Sequence, residues 1–208
     1  MKSLCSISAL CASALMGSAI AAPVELFFDD FELETEGPNR VPTKWTVQRG
    51  AVEIIGPGYF GPPAFDICAE STHCVDLDGS TGFAGLMVSR DTFVLTAGAT
   101  FTLTFDYSEN GYGGGPVNTV TYGVGGFTDT VSTTTPAPLG DYFEATLTFT
   151  GDGSVGSIFF DHEGGDFFGL SVDNIRLTGD FGGGSPVPVP AAAFLMAPAA
   201  LLVRRRKK

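Results

Sequence analysis

Basic residues are what this chain has least of where it folds. Of its 11 lysines and arginines, Lys2 stands near the start and five close the chain at Arg204–Lys208. The interval Glu25–Asp180 keeps only Arg40, Lys44, Arg49, Arg90 and Arg176, yet it holds all 23 acidic residues. Five positive against 23 negative side chains give it a formal charge of −18. Such a surface repels phosphate backbones and anionic lipid, which argues against nucleic acid or an acidic membrane as partner. It suits solubility in saline surroundings and weak binding of divalent cations. Histidine is scarce as well: His73 and His162 have no nucleophile partner in the sequence, and Gly-x-Ser-x-Gly and His-Glu-x-x-His are absent. Enzyme readings therefore lack their parts. No interior segment repeats apolar residues at helical spacing, so a helical fold is not expected.

Both ends read as processing signals. Lys2 precedes an apolar run from Ile7 to Ile20, and Ala19-Ile20-Ala21 sets small residues at A-x-A spacing. Residues 1–21 are read as a secretory signal peptide, its apolar run being too short to span a bilayer comfortably. Leu10 precedes Cys11 where a lipoprotein signal needs a small residue, so lipidation is not expected. Cys5 and Cys11 leave with the signal, and Cys68 and Cys74 remain. An even pair in an exported chain, with five residues between them in a Pro- and Gly-bounded loop, predicts one local disulfide. Its small ring pins a loop more than it stabilises the whole fold. His73, beside Cys74, reads as a loop residue.

What is present between the ends is alternation. Val24–Glu32 is an extended apolar stretch ending in acids, and Trp45 and Val52-Glu-Ile-Ile follow across Gly- and Pro-rich loops. In Thr100–Ser108, Phe101, Leu103, Phe105 and Tyr107 share one face, and Thr102, Thr104, Asp106 and Ser108 share the other. Period two over that length predicts a half-buried strand. Val120, Tyr122 and Val124 repeat the pattern, as do Ala145, Leu147 and Phe149. Gly151-Asp152-Gly153 predicts a hairpin turn into Val155–Phe160. In Leu170–Leu177 the parity slips at Asp173-Asn174, which fits either a β-bulge or a strand buried on both faces. About nine to eleven short strands predict an all-β fold, an antiparallel sandwich or barrel over residues 22–180.

Residues 181–185, FGGGS, form a flexible linker. Residues 186–208 then combine a Pro-rich motif, an apolar run and a basic end. Ala191–Val203, if helical, is about 20 Å long against a ~30 Å hydrocarbon core, and Pro198 interrupts it. That suits transient insertion by a short C-terminal membrane helix, with Arg204–Lys208 held on the cytoplasmic side. An ordinary anchor that is never processed is the alternative.

The tail resembles PEP-CTERM sorting signals of the VPLPA type, carried here by Val187, Pro188, Val189, Pro190 and Ala191. The resemblance implies an exosortase-type membrane transpeptidase as partner, cleavage near the motif, and release or attachment at the outer surface. The domain resembles the jelly-roll ectodomains of DUF642 and choice-of-anchor surface proteins, which are related to carbohydrate-binding modules. The matching pieces are Phe28–Glu32, Trp45, Val75–Ser80, Gly98–Phe105 and Gly169–Ile175. It implies a jelly roll with one structural calcium where the first and last strands meet, at Glu32 and Asp173 with Asp30 as neighbour. Glycan contacts are expected from aromatic rings in Gly-rich turns, Tyr59, Phe60 and Tyr112 with the loop Asn110–Gly115, while Trp45 packs in the core. Asp76 and Asp78 are expected on the outward face of a strand, and Asp161-His162-Glu163 as a polar strand end. The expected protein is an exported surface or matrix component that binds exopolysaccharide. The competing class is a secreted glycan-active hydrolase on the same scaffold.

Overall fold

The computed structural model describes residues 22–57, 59, 68, 73–80, 82–109, 118–133, 142–164 and 169–182. The signal peptide, Tyr112 and its loop, Phe60 and the sorting motif Val187–Ala191 lie outside the described residues. Residues 22–182 form one compact unit. Its described residues contain strands and no helix.

The strands make an antiparallel β-sandwich. One sheet runs β10 (Phe143–Thr150), β7 (Thr100–Glu109), β13 (Leu170–Asp180), β4 (Cys74–Asp76) and β3 (Glu53–Ile55), with β1 (Val24–Asp29) also paired to β13. The second runs β2 (Trp45–Arg49), β5 (Leu86–Ser89), β12 (Ile158–Glu163), β8 (Asn118–Val124) and β9 (Phe127–Thr133). β6 (Phe93–Val94) and β11 (Val155–Gly156) form a separate ribbon. The chain passes repeatedly from one sheet to the other, as in a jelly roll.

Alternation decides which side chains meet between the sheets. Phe101, Leu103 and Phe105 of β7 are buried, as are Val120, Tyr122 and Val124 of β8. Each such burial contributes about 1.5–3 kcal/mol. Across the gap the Phe105 ring meets Tyr122 at 4.7 Å and Phe160 at 4.9 Å, both edge to face. Trp45 lies in the same core, edge to face with Phe27 at 5.4 Å.

Two expectations change at the element level. Gly151–Gly153 turns the chain but makes no hairpin: β10 pairs with β7 in one sheet and β12 with β5 and β8 in the other. The segment is a crossover, because the ribbon strand β11 intervenes and pairs with β6. In β13 both alternatives hold in part. The β13–β7 register shifts between Asp173 and Arg176, with Asn174 at φ 49°, and Leu170–Asp173 ahead of the bulge are all buried. The bulge falls where β13 exchanges one neighbour for another, since Ser171 and Val172 pair with β4 and Ile175–Gly179 with β1.

Candidate functional site

The solvent face of the five-stranded sheet carries two rows of side chains that cross all five strands in register. Arg49, Leu86, Asp161, Thr121 and Thr130 form one row. Thr46, Val88, Phe159, Gly123 and Thr128 form the other. Opposite parity puts Met87, Phe160 and Tyr122 into the core. Five strands at about 4.8 Å spacing make the face roughly 19 Å wide. Its centre is apolar and partly exposed, at Leu86, Val88 and Phe159, and its flanks are threonine hydroxyls.

At the β2 edge this face opens into a groove of about 430 Å³ lined by Arg49, Gly50, Phe83 and Ala84. Phe83 is 70% exposed, the most exposed aromatic ring among the described residues. Its backbone is fixed: Phe83 O accepts a hydrogen bond from Ala51 N at 3.1 Å. Gly50, at φ 61°, packs so closely that a Cβ there would meet Ala84 O at 2.2 Å and Phe83 O at 2.4 Å. On the other side Gly85 N donates to Leu77 O at 2.7 Å. The ring is thus displayed to water from a pinned main chain, forfeiting most of the burial energy a phenylalanine normally supplies.

Beside the ring, Arg49 reaches over Leu86 to Asp161. Arg49 Nη2 donates to Asp161 Oδ1 and, at 3.2 Å, to His162 O. The pair is half exposed, so it contributes little to stability. It does set a cationic donor and an anionic acceptor side by side at the groove.

One end of the outer face of the other sheet is closed, while Thr146 and Thr148 of β10 further along it are exposed. Glu53, Asp76, Ser171 and Ser108 stand in register across β3, β4, β13 and β7, and all are buried. Glu53 Oε2 accepts from Tyr59 Oη at 3.1 Å and from Ser80 Oγ, and Asp76 Oδ1 accepts from Asp78 N at 2.8 Å. A Cβ on Gly164 would meet His162 Nδ1 at 2.8 Å and Asp78 Oδ2 at 3.1 Å, so Asp78 and His162 converge there. This corrects the expected solvent-facing pair Asp76 and Asp78, which are fully buried, as is His162. A short β4 followed directly by a turn draws both acids under the surface. They offer no accessible acid/base pair to a substrate.

The other expected residues are dispersed. Tyr59 is part-buried with its hydroxyl turned to Glu53, a weaker sugar platform than its Gly-rich setting suggests. Burial raises its pKa above the usual tyrosine value, with Glu53 adding to the effect and Ser80 opposing it. Asp30 and Glu32 flank Phe31, a buried residue at φ 54°. Asp30 Oδ1 accepts from Glu32 N at 3.3 Å, and Glu32 Oε1 accepts from His73 N at 3.1 Å. Asp173 is buried at the bulge, with Asn174 N on its Oδ1 at 2.7 Å. The first and last strands do meet there, Asp29 opposite Ile175. Among the described residues no group of three or more His, Cys, Asp or Glu side chains is placed to hold a metal ion. Cys68 and Cys74 form the expected disulfide, and both are buried.

Phe83 had a faint sequence signal, a large ring between Gly82 and Gly85. It lies just ahead of β5, outside any alternating segment. Arg49 and Asp161 are 112 residues apart, and only the register of β2, β5 and β12 unites them.

No family model matches the chain, and no curated protein matches it. Solved structures do. A cyclase from Fischerella sp. TAU, in complex with 4-(1H-indol-3-yl)butan-2-one, aligns at TM-score 0.50 and 15% identity over 75% of this chain and 97% of its own. TmCBM61 in complex with β-1,4-galactotriose aligns at TM-score 0.44 and 16% identity, over 65% and 88%. The K3 cleaved adhesin domain of Lys-gingipain from Porphyromonas gingivalis W83 aligns at 0.46 and 17%, over 76% and 99%. The first shares the sandwich fold with this chain; the lower scores of the others leave them as likenesses only.

Proposed function

We propose that this chain is an exported component of the cell surface or extracellular matrix whose β-sandwich binds polysaccharide. The observation that carries the reading is Phe83, a ring held open to water on a pinned backbone beside a donor–acceptor pair. Sugar rings present apolar C–H faces and hydroxyl edges, and a flat aromatic with adjacent polar groups complements both. The disulfide supports an oxidising compartment, where such bonds persist. Glycan-array binding by the full-length chain is the test. Retention on one or more polysaccharides without released sugar supports the reading; released sugar transfers the protein to the hydrolase class, and no retention overturns binding.

The VPLPA-type tail belongs to the same proposal. An exosortase-type transpeptidase recognises Val187–Ala191 and removes the apolar, basic end. In a host carrying such an enzyme, mass spectrometry of the surface protein is expected to lack Arg204–Lys208. A mature protein that keeps those residues overturns processing. Structural calcium at Asp30, Glu32 and Asp173 is the third part. In the structure one oxygen of each carboxylate accepts a backbone hydrogen bond, from Glu32 N, His73 N and Asn174 N respectively. An unchanged melting temperature in millimolar calcium overturns it.

A further inference from the structure

We infer that the Phe83 groove selects neutral polysaccharide and rejects acidic polysaccharide, and that the Arg49–Asp161 pair makes the selection. This deepens the polysaccharide reading and rests on it. The domain carries five bases against 23 acids, so a polyuronate or sulfated glycan approaches against a strongly negative field. A cation aimed into the groove is the usual means of overcoming such a field, and Arg49 is the one basic side chain among the described residues that line it. Asp161 neutralises that cation. The nearest exposed charge on the same strand face is Glu163, two residues beyond Asp161, which is again negative. The groove therefore has no net positive charge to offer a carboxylate.

What the pair does offer suits an uncharged sugar. The guanidinium has five N–H donors in a fixed fork, and Nη2 is the nitrogen that holds Asp161 and His162 O. The remaining donors and the Asp161 carboxylate lie side by side. Adjacent hydroxyls on a sugar ring each donate and accept, so one can give its proton to Asp161 while its neighbour accepts from Arg49. The threonine hydroxyls of Thr46 and Thr121, on the same two rows, extend this neutral hydrogen-bonding surface past Phe159. Phe83 binds the C–H face at the end of the track. Acidic glycans lose here because the cation they need is already occupied.

The full-length chain, its Phe83→Ala and its Asp161→Asn variants are run by affinity electrophoresis through neutral glucan, xylan and galactan, and through polygalacturonate and alginate. Phe83 is exposed and Asp161 half-exposed, so both variants are expected to keep the fold, which unchanged melting temperatures verify. The native chain is expected to be retarded by at least one neutral polymer and by neither acidic one. Phe83→Ala is expected to lose about tenfold or more of that affinity. Asp161→Asn, which leaves Arg49 without its counter-charge, is expected to weaken neutral binding and to gain retardation by polygalacturonate that added salt abolishes. Retardation of the native chain by an acidic polymer overturns the inference while leaving polysaccharide binding intact. So does neutral binding that Phe83→Ala does not change, or an Asp161→Asn variant with native selectivity. No retardation by any polymer overturns both.

Discussion

Trp45 Nε1 donates to Asp29 Oδ2 at 2.7 Å within the core, and Lys44 Nζ reaches Asp29 Oδ1 at 3.2 Å. A buried carboxylate is tolerated there because both oxygens are engaged. Trp45→Phe keeps much of the ring volume and removes one donor, so urea unfolding is expected to show a loss of about 1–3 kcal/mol. Phe83→Ala, by contrast, is expected to leave stability within about 0.5 kcal/mol, because its ring already faces water. The contrast separates a residue kept for packing from one kept for contact. Tyr122 makes a prediction in pH. Burial, then the negative charge of Asp129, pushes its pKa up to about 12 from the ordinary value of 10.0. The folded state then holds this proton more tightly than the unfolded chain, so its contribution is complete below pH 10 and is lost as pH rises toward 12. A melting temperature that falls across that window, and falls less in Tyr122→Phe, is the expected result. At this scale the sequence was legible for the core and misleading for the acids. Asp76 and Asp78 obey strict alternation, which marks a face but does not say whether that face meets water.

Strands with long alternation, β7, β8 and β10, were legible because one face of each packs and the other does not. Which strand pairs with which was not, since pairing depends on contacts far apart in the chain. Gly151–Gly153 shows the limit: its turn chemistry is real, and the partner it implied is wrong. The slip in β13 was legible as a change of parity, and the structure supplies its cause in the handover from β4 to β1. Asn174 holds the bulge at φ 49°, with its Nδ2 donating to Asp106 Oδ2 at 2.9 Å. Asn174→Val is expected to cost about 1–3 kcal/mol in denaturant unfolding, since a β-branched residue resists that backbone, and Asn174→Gly less. Equal losses for the two variants count against the backbone account. The Cys68–Cys74 disulfide closes a small ring, and chain entropy assigns it about 2 kcal/mol. Replacing both cysteines by serine is expected to cost about 2 kcal/mol in denaturant unfolding, with a lowered melting temperature, and to leave the two sheets intact by circular dichroism.

The molecule as a whole is an acidic sandwich whose charges mostly repel one another. Self-repulsion opposes compactness and is screened by salt. Its melting temperature at neutral pH is therefore expected to rise as sodium chloride goes from low to molar concentration, and differential scanning calorimetry checks it. A flat response means the carboxylates are already neutralised in pairs or by bound cations. Alternation made the fold class legible and composition the charge, before any strand was paired. The groove was invisible at that level, because it is made by the register of three strands and one loop. The shared edge of β13 has a mechanical consequence. β13 is hydrogen-bonded along one side to β7 and along the other to β4 and then β1, and Val24 stands opposite Gly179. Tension on the chain beyond Gly182 runs along the strand axis, so it loads these ladders in shear and its bonds yield together, where a peeled strand gives way one bond at a time. A domain held at its C-terminal side while its other sheet grips a fibre would carry the load through its best-bonded strand.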